Sequence, residues 1–200
     1  MSTDSQERRD GGEEYPGARW LAGGSPSDVL ARLLVAKELE LGARVAARLE
    51  SRAVLLDPDR TYLRSLAHTA RKAMFYRGVP PLAEFLDACI DRGIDDLVDE
   101  DVESERSGAP LEPADARFRA VSETLGVEST TARRICVVLN TQHDELRHAT
   151  YAVLVLRKSV DAHATAARRP VPRVRELVRE GLRRLSSAFG RRIDPTEYGL

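Results

Sequence analysis

Near its C-terminus the chain carries the Arg-rich stretch RPVPRVRELVREGLRRL at residues 169–185. At 100° per residue, every third or fourth side chain of this stretch lies on one apolar stripe. The stripe consists of Val174, Leu177, Val178, Leu182 and Leu185. Pro172 suits a first helical turn, because its missing N–H has no intrahelical partner there and its φ is already helical. The stretch therefore predicts an amphipathic helix that begins at Pro172.

The polar side of this predicted helix allows two interpretations. Arg175, Arg179 and Arg183 form an outward row at i, i+4 and i+8, which suits a helix that lies against a polyanion. The same arginines could instead pair with Glu176 and Glu180 at helical spacing, as in most charge-rich surface helices. The segment alone leaves both interpretations open.

The composition favours helix packing throughout the chain. Two hundred residues with 42% apolar content suffice for one domain or two small ones. Aromatic residues make up only 5%, and Ala, Leu, Val and Arg are abundant, which suits helices far better than a sheet. We therefore expect an all-α protein.

Other bulk features indicate a cytoplasmic protein. Cys89 and Cys136 are far apart, form no CxxC motif and are expected to be reduced and buried. Residues 1–19 are polar rather than signal-like, and no apolar run approaches the roughly 18 residues that span a bilayer. We expect no contact with a membrane.

The pattern of apolar and breaking residues predicts two small helical domains. Residues 1–24 are polar and Gly-rich, so we expect a flexible arm. Three helices are expected within residues 25–100: one over residues 28–52, one that ends near Gly78, and one that opens at Pro80 and Pro81. Residues 101–114 contain acids, Ser, Gly and two prolines and predict a linker. The second domain, 115–190, is expected to hold helices at 115–125, 128–140, 143–158, 160–168 and 172–189, followed by a tail at 191–200.

Motifs of catalysis are missing from the sequence. The four histidines form no HExxH pattern, and there is no Gly-rich phosphate loop and no GxSxG. The acids between Asp95 and Asp101 are spread around a helix without the alternating ligands of a calcium loop. We expect neither an enzyme nor a metal, cofactor or small-molecule substrate.

The charge is distributed unevenly, although the net charge is only −1. Residues 84–105 hold ten Asp or Glu against one Arg, and residues 131–192 hold fourteen Lys or Arg against five Asp or Glu. A basic module of this kind is the usual footprint of phosphate-backbone binding.

The order of the C-terminal helices is that of a helix-turn-helix. A helix over 143–158 is followed by a short helix, a tight joint and the Arg-rich helix, whose N-terminal part would meet base edges in a major groove. This order places Arg173 and Arg175 toward bases. The candidate phosphate contacts are Arg179, Arg183 and Arg184. Arg168 and Arg169 are further candidate DNA-binding residues.

These segments resemble the bacterial sigma factors of the extracytoplasmic-function group. AVLVLR at 152–157 and VPRVRELVREGLRRL at 171–185 are similar to pieces of the family's region four, in the same order. AMFYRG at 73–78, followed by PLAEFL at 81–86, is similar to its region two. The resemblance spans about residues 60–187.

The resemblance implies a transcription factor. Its C-terminal module would bind duplex DNA, and its N-terminal helices would dock on the RNA polymerase core or another protein. The residues considered for this docking are Tyr62, Leu63, Leu66 and Phe75. An alternative is a helical interaction protein that keeps the sigma fold without promoter recognition, in which the acidic region 84–105 binds a basic partner or covers the chain's own basic module.

Overall fold

The computed structural model describes residues 25–35, 40–110, 118–190 and 196. Within these residues it contains nine α-helices and no strand, which confirms the all-α class. In chain order the helices are α1 (Pro26–Val35), α2 (Leu41–Ser51), α3 (Pro58–Ala73), α4 (Leu82–Arg106), α5 (Arg119–Leu125), α6 (Ser129–Asn140), α7 (Asp144–Leu154), α8 (Val160–Ala167) and α9 (Val171–Ala188). The predicted arm 1–24, the linker residues 111–114 and nearly all of the tail lie outside the described residues.

The helix boundaries differ from the predicted ones mainly at four places. α3 ends at Ala73 rather than near Gly78. α1 and α2 replace the single helix expected over 28–52, because Glu40 has a φ of 43°, a left-handed conformation that an α-helix does not contain. α7 ends at Leu154 rather than at residue 158, and Arg157 follows with a φ of 54°. α4 continues through Arg106, so the first six residues of the predicted linker are helical.

Helices α1–α4 surround an N-terminal core. α3 and α4 are antiparallel, since Arg60 pairs with Asp101 whereas His68, further along α3, pairs with the earlier Asp96. The core is formed by the apolar faces of all four helices and includes Val29, Leu33, Leu41, Val45, Leu49, Leu66, Ala70, Ile90, Ile94 and Leu97. Each large aliphatic side chain removed from water here contributes on the order of 1.5–3 kcal/mol before the entropy of ordering is subtracted.

Helices α5–α9 surround a second, C-terminal core. α9 crosses this core and packs against α6, α7 and α8. The buried side chains come from all five helices and include Val121, Ile135, Leu139, Val153, Leu154, Val160, Ala164, Val174, Val178, Leu182 and Leu185. Four of the five residues of the predicted α9 stripe are thus buried, and Leu177 packs against the same core.

A short segment after α2 joins the two cores. Ala53 and Leu55 lie in the C-terminal core, whereas Val54 and Leu56 lie in the N-terminal core. Asn140, the last residue of α6, accepts from the Leu55 N–H at 2.8 Å and donates to the Leu55 carbonyl at 3.0 Å. The two groups of helices therefore share residues 53–56; the domain division at 101–114 stays a prediction.

Candidate nucleic-acid interface

The joint between α8 and α9 is a tight turn with a defined start and end. The Ser159 side chain caps α8 by accepting from the Ala162 N–H at 3.2 Å. Arg168 ends α8 at φ 52° and ψ 44°, and the N–H of Arg169 donates to the Ala164 carbonyl at 2.9 Å. This is the helix-ending turn that glycine usually occupies, formed here by an arginine at a steric cost of about 1–2 kcal/mol.

α9 begins directly after this turn and has one buried and one polar face. Pro170 is its N-cap and Pro172 lies in its first turn, as the sequence predicts. Val174, Val178 and Leu182 are fully buried against the C-terminal core. Because this face anchors the helix, the opposite face is held toward solvent in a fixed orientation.

The polar face contains the arginines that the sequence singles out. Arg168, Arg169, Arg173, Arg179, Arg183 and Arg184 are exposed. Arg175 differs from them, because it is half-buried and its Nε is buried without a hydrogen-bond partner. The expected outward row therefore holds for Arg179 and Arg183 and only in part for Arg175.

Carboxylates of the same chain neutralise part of this arginine set. Glu145 in the first turn of α7 contacts Arg169 at 2.6 Å and Arg173 at 3.4 Å. Glu180 accepts from both Arg183 and Arg184 at 2.7 Å, and these hydrogen bonds lower the pKa of Glu180 to about 2. Glu180 thus confirms pairing at i+3 and i+4. Arg179 is exposed, and its contact with a polyanion stays a prediction.

The pairing of Glu180 was readable from its helical spacing to Arg183 and Arg184. Glu145 was missed, because it lies 24 residues before Arg169 and no local pattern joins them.

The acidic helix α4 pairs with arginines of other helices. The partners of α4 on one side are Arg44 and Arg48 of α2 and Arg52 directly after it. They pair with Asp87, Asp91 and Asp95 at a constant offset of 43 residues, which defines a parallel α2–α4 ladder. On its other side α4 pairs with Arg60 and Arg64 of α3 and, at Glu105, with Arg133 and Arg134 of α6. Within the described residues the structure gives no ion pair between α4 and α9, so α4 does not cover the α9 arginines through its charges.

The four residues considered for partner docking differ in their exposure to solvent. Leu66 is 2% exposed and belongs to the N-terminal core, so it is not available to a partner. Its selection for docking is wrong, because it faces the same way as Ala70 in the α3 stripe. Tyr62 is half-buried against that core. Leu63 and Phe75 are exposed by 64% and 73%, and Met74 and Val79 are exposed beside Phe75 along the chain.

Two further properties of the described residues bear on the kind of site. Over 25–35, 40–110 and 118–190, no group of three or more His, Cys, Asp or Glu side chains is arranged to hold a metal ion. None of the helices in those ranges has the length and apolar character needed to cross a bilayer.

No protein-family model, curated protein or solved structure matches this chain.

Proposed function

We propose that the protein is a sigma-factor-like DNA-binding protein that acts in transcription initiation or its regulation. In this proposal α8 and α9 form a helix-turn-helix that reads duplex DNA, and the N-terminal helices dock on polymerase. The observation that carries the proposal is the construction of α9. One face is fixed in the core behind a tight turn, and the other presents exposed arginines over its whole length.

The position of each arginine along α9 suggests its role. Arg173 and Arg175 lie in the N-terminal part, which approaches base edges when a recognition helix enters a major groove. Arg179, Arg183 and Arg184 lie further along and suit phosphate contacts, as do Arg168 and Arg169 in the turn. Base contacts by arginine favour guanine, whose O6 and N7 accept a bidentate pair.

The test is the salt dependence of binding to a mixed-sequence DNA duplex. Arg173→Ala, Arg175→Ala and Arg179→Ala are combined in one variant. We expect the affinity to fall and the slope of log K against log salt to become shallower by about 0.9 for each lost phosphate contact.

The matched control combines Arg92→Ala, Arg106→Ala and Arg119→Ala, which removes the same charge at exposed positions outside α9. This variant should bind nearly as the unmodified protein does. Absence of duplex binding by the unmodified protein at low salt, or equal losses in both variants, would contradict the proposal.

A second candidate function is a helical interaction protein without promoter recognition. The observation that favours it is the exposure of four large apolar side chains, Leu63, Met74, Phe75 and Val79. Exposed aromatic and aliphatic side chains of this size are typical of protein contact surfaces. The acids of α4 contribute less to such a function than the sequence suggests, because most of them are paired within the chain.

The two functions are distinguished by binding to duplex DNA, because both allow docking on the polymerase core; the two partners are tested separately. An interaction protein would not bind duplex at low salt, and Leu63→Ala with Phe75→Ala would weaken its binding to the polymerase. If the protein is a DNA-binding factor, the arginine variant should weaken duplex binding, whereas Leu63→Ala with Phe75→Ala should not.

A further inference from the structure

Glu145 holds two arginines of the proposed DNA interface at once. Its Oε1 lies 2.6 Å from Arg169 Nη2, and its Oε2 lies 3.4 Å from Arg173 Nη2. Arg169 belongs to the turn and Arg173 to the first turn of α9, so the carboxylate bridges both sides of the joint. The side chain of Glu145 is 38% exposed, which leaves these pairs open to solvent.

The contact resembles the one that a DNA phosphate would make. Two guanidinium groups converge on the two oxygens of one anion, which is the arrangement that arginines adopt with phosphate as well as with carboxylate. Glu145 is itself favoured at this place, because it lies in the first turn of α7, where the helix dipole stabilises a negative charge.

We propose that Glu145 is a specificity-determining residue that competes with DNA for Arg169 and Arg173. This inference rests on the proposed function. Non-specific binding depends almost entirely on charge, so two arginines already neutralised within the chain contribute little to it. A correct site supplies base contacts that offset the loss of the internal pairs, whereas a random sequence does not. Glu145 therefore weakens binding to wrong sequences more than binding to the right one.

The experiment compares the unmodified protein with Glu145→Gln on a mixed-sequence duplex over a range of salt. In the variant Arg169 loses its carboxylate partner, and Arg173 keeps only Glu176 at 3.8 Å. We therefore expect the affinity to rise roughly 2- to 20-fold at low salt. The slope of log K against log salt should steepen by about 0.9, because Arg169 gains one phosphate contact. A purely structural role of Glu145 would not produce tighter binding together with a steeper slope.

Two variants control the interpretation. Glu145→Asp keeps the negative charge, so its slope of log K against log salt should lie closer to that of the unmodified protein than the slope of Glu145→Gln does. Asp161→Asn removes one exposed negative charge from the first turn of α8, and it should raise the affinity less than Glu145→Gln does.

The outcomes separate the two proposals. If the unmodified protein binds duplex but Glu145→Gln leaves affinity and slope unchanged, or weakens binding, the role of Glu145 is refuted and the proposed function stands. An equal gain in Asp161→Asn also refutes it, since the effect would then be general. If neither the unmodified protein nor Glu145→Gln binds duplex at low salt, the proposed function itself fails.

Discussion

Gly181 of α9 lies directly against Thr150 of α7, closer than any larger residue would allow. A Cβ built at Gly181 would overlap the Thr150 Oγ1 and lie 2.9 Å from the Thr150 Cβ. Thr150 is fully buried, and its hydroxyl donates to the Leu146 carbonyl at 2.7 Å. This contact fixes the distance between α7 and α9 and thereby the position of the arginine face.

Gly181→Ala should destabilise the protein by about 1–3 kcal/mol, because the added methyl group forces the two helices apart. Helix propensity alone acts in the opposite direction by up to about 1 kcal/mol. The free energy of unfolding from denaturant titration measures the net effect.

Gly42→Ala is the matched control, since Gly42 is also helical and a Cβ there meets nothing within 4 Å. It should leave stability unchanged or raise it. In the double variant Gly181→Ala with Thr150→Ala, the loss of stability should be smaller than the sum of the two single losses by about 0.5–3 kcal/mol. Strict additivity would contradict the proposed contact.

Asn140→Ala should destabilise the connection between the two cores. Leu55 is 5% exposed, so the variant leaves its N–H and carbonyl without their partner at a cost of about 1–3 kcal/mol for each group. Thr141→Ala is the control, because Thr141 is exposed and its hydroxyl bonds only to carbonyls of its own helix. Denaturant unfolding should show a clear loss for Asn140→Ala only; similar values for the two variants would contradict the role of Asn140.

The helices and their buried faces are the part of the fold that sequence predicts well. Apolar periodicity located the buried stripe of α9, because period and burial are directly linked in an amphipathic helix. The α2–α4 ladder also had a readable signal, since Arg44, Arg48 and Arg52 share one spacing with Asp87, Asp91 and Asp95. The sequence analysis did not predict the pairing, because a charge pattern on one helix does not identify its partner.

Contacts between distant segments could not be predicted from the sequence. Nothing local marks Asn140 as the partner of Leu55, 85 residues earlier. In the same way, Gly181 is an unfavourable residue within a helix by propensity, and only the position of Thr150 explains it. The candidate site was thus predicted as a set of exposed arginines. The pairing with Glu180 follows from helical spacing, whereas the pairing with Glu145 depended on tertiary structure.

Asp101→Ala should be strongly destabilising. Asp101 is 2% exposed and contacts Arg60 at 2.7 Å, and the Arg60 side chain is itself only 16% exposed. Removal of one partner from a buried ion pair costs about 3–5 kcal/mol, because the other charge stays buried. We expect the lower end of this range, since Arg60 keeps Glu100 at 3.0 Å.

The comparison for this prediction is Asp99→Ala, at an exposed position two residues earlier on α4. Surface changes of that kind stay within about 0.5 kcal/mol. Thermal or denaturant unfolding of both variants gives the difference. A loss below about 1 kcal/mol for Asp101→Ala would show that the pair contributes no more than a surface ion pair.

His68 should make the protein less stable in mild acid. Burial lowers the pKa of His68 below its ordinary value of 6.5; the hydrogen bond to Asp96 opposes this change, and the charge of Arg71 adds to it. As the pH falls below 6.5, the unfolded chain binds a proton that the folded chain does not, so the free energy of unfolding decreases until the folded pKa is reached. The contribution of His68 to the free energy of unfolding is thus fully present above pH 6.5 and is lost as the pH falls toward the folded pKa.

The hydrogen bonds of His68 also determine its tautomer. Arg71 Nη2 lies 3.0 Å from Nδ1 and can only donate, so Nδ1 accepts and the proton of the neutral ring is on Nε2, 2.9 Å from Asp96 Oδ2. Nitrogen-15 NMR should show the Nε2–H form with a pKa below 6.5. His68→Gln should reduce the loss of stability between neutral pH and pH 5, whereas an Nδ1–H tautomer or an unchanged pH profile would contradict this assignment.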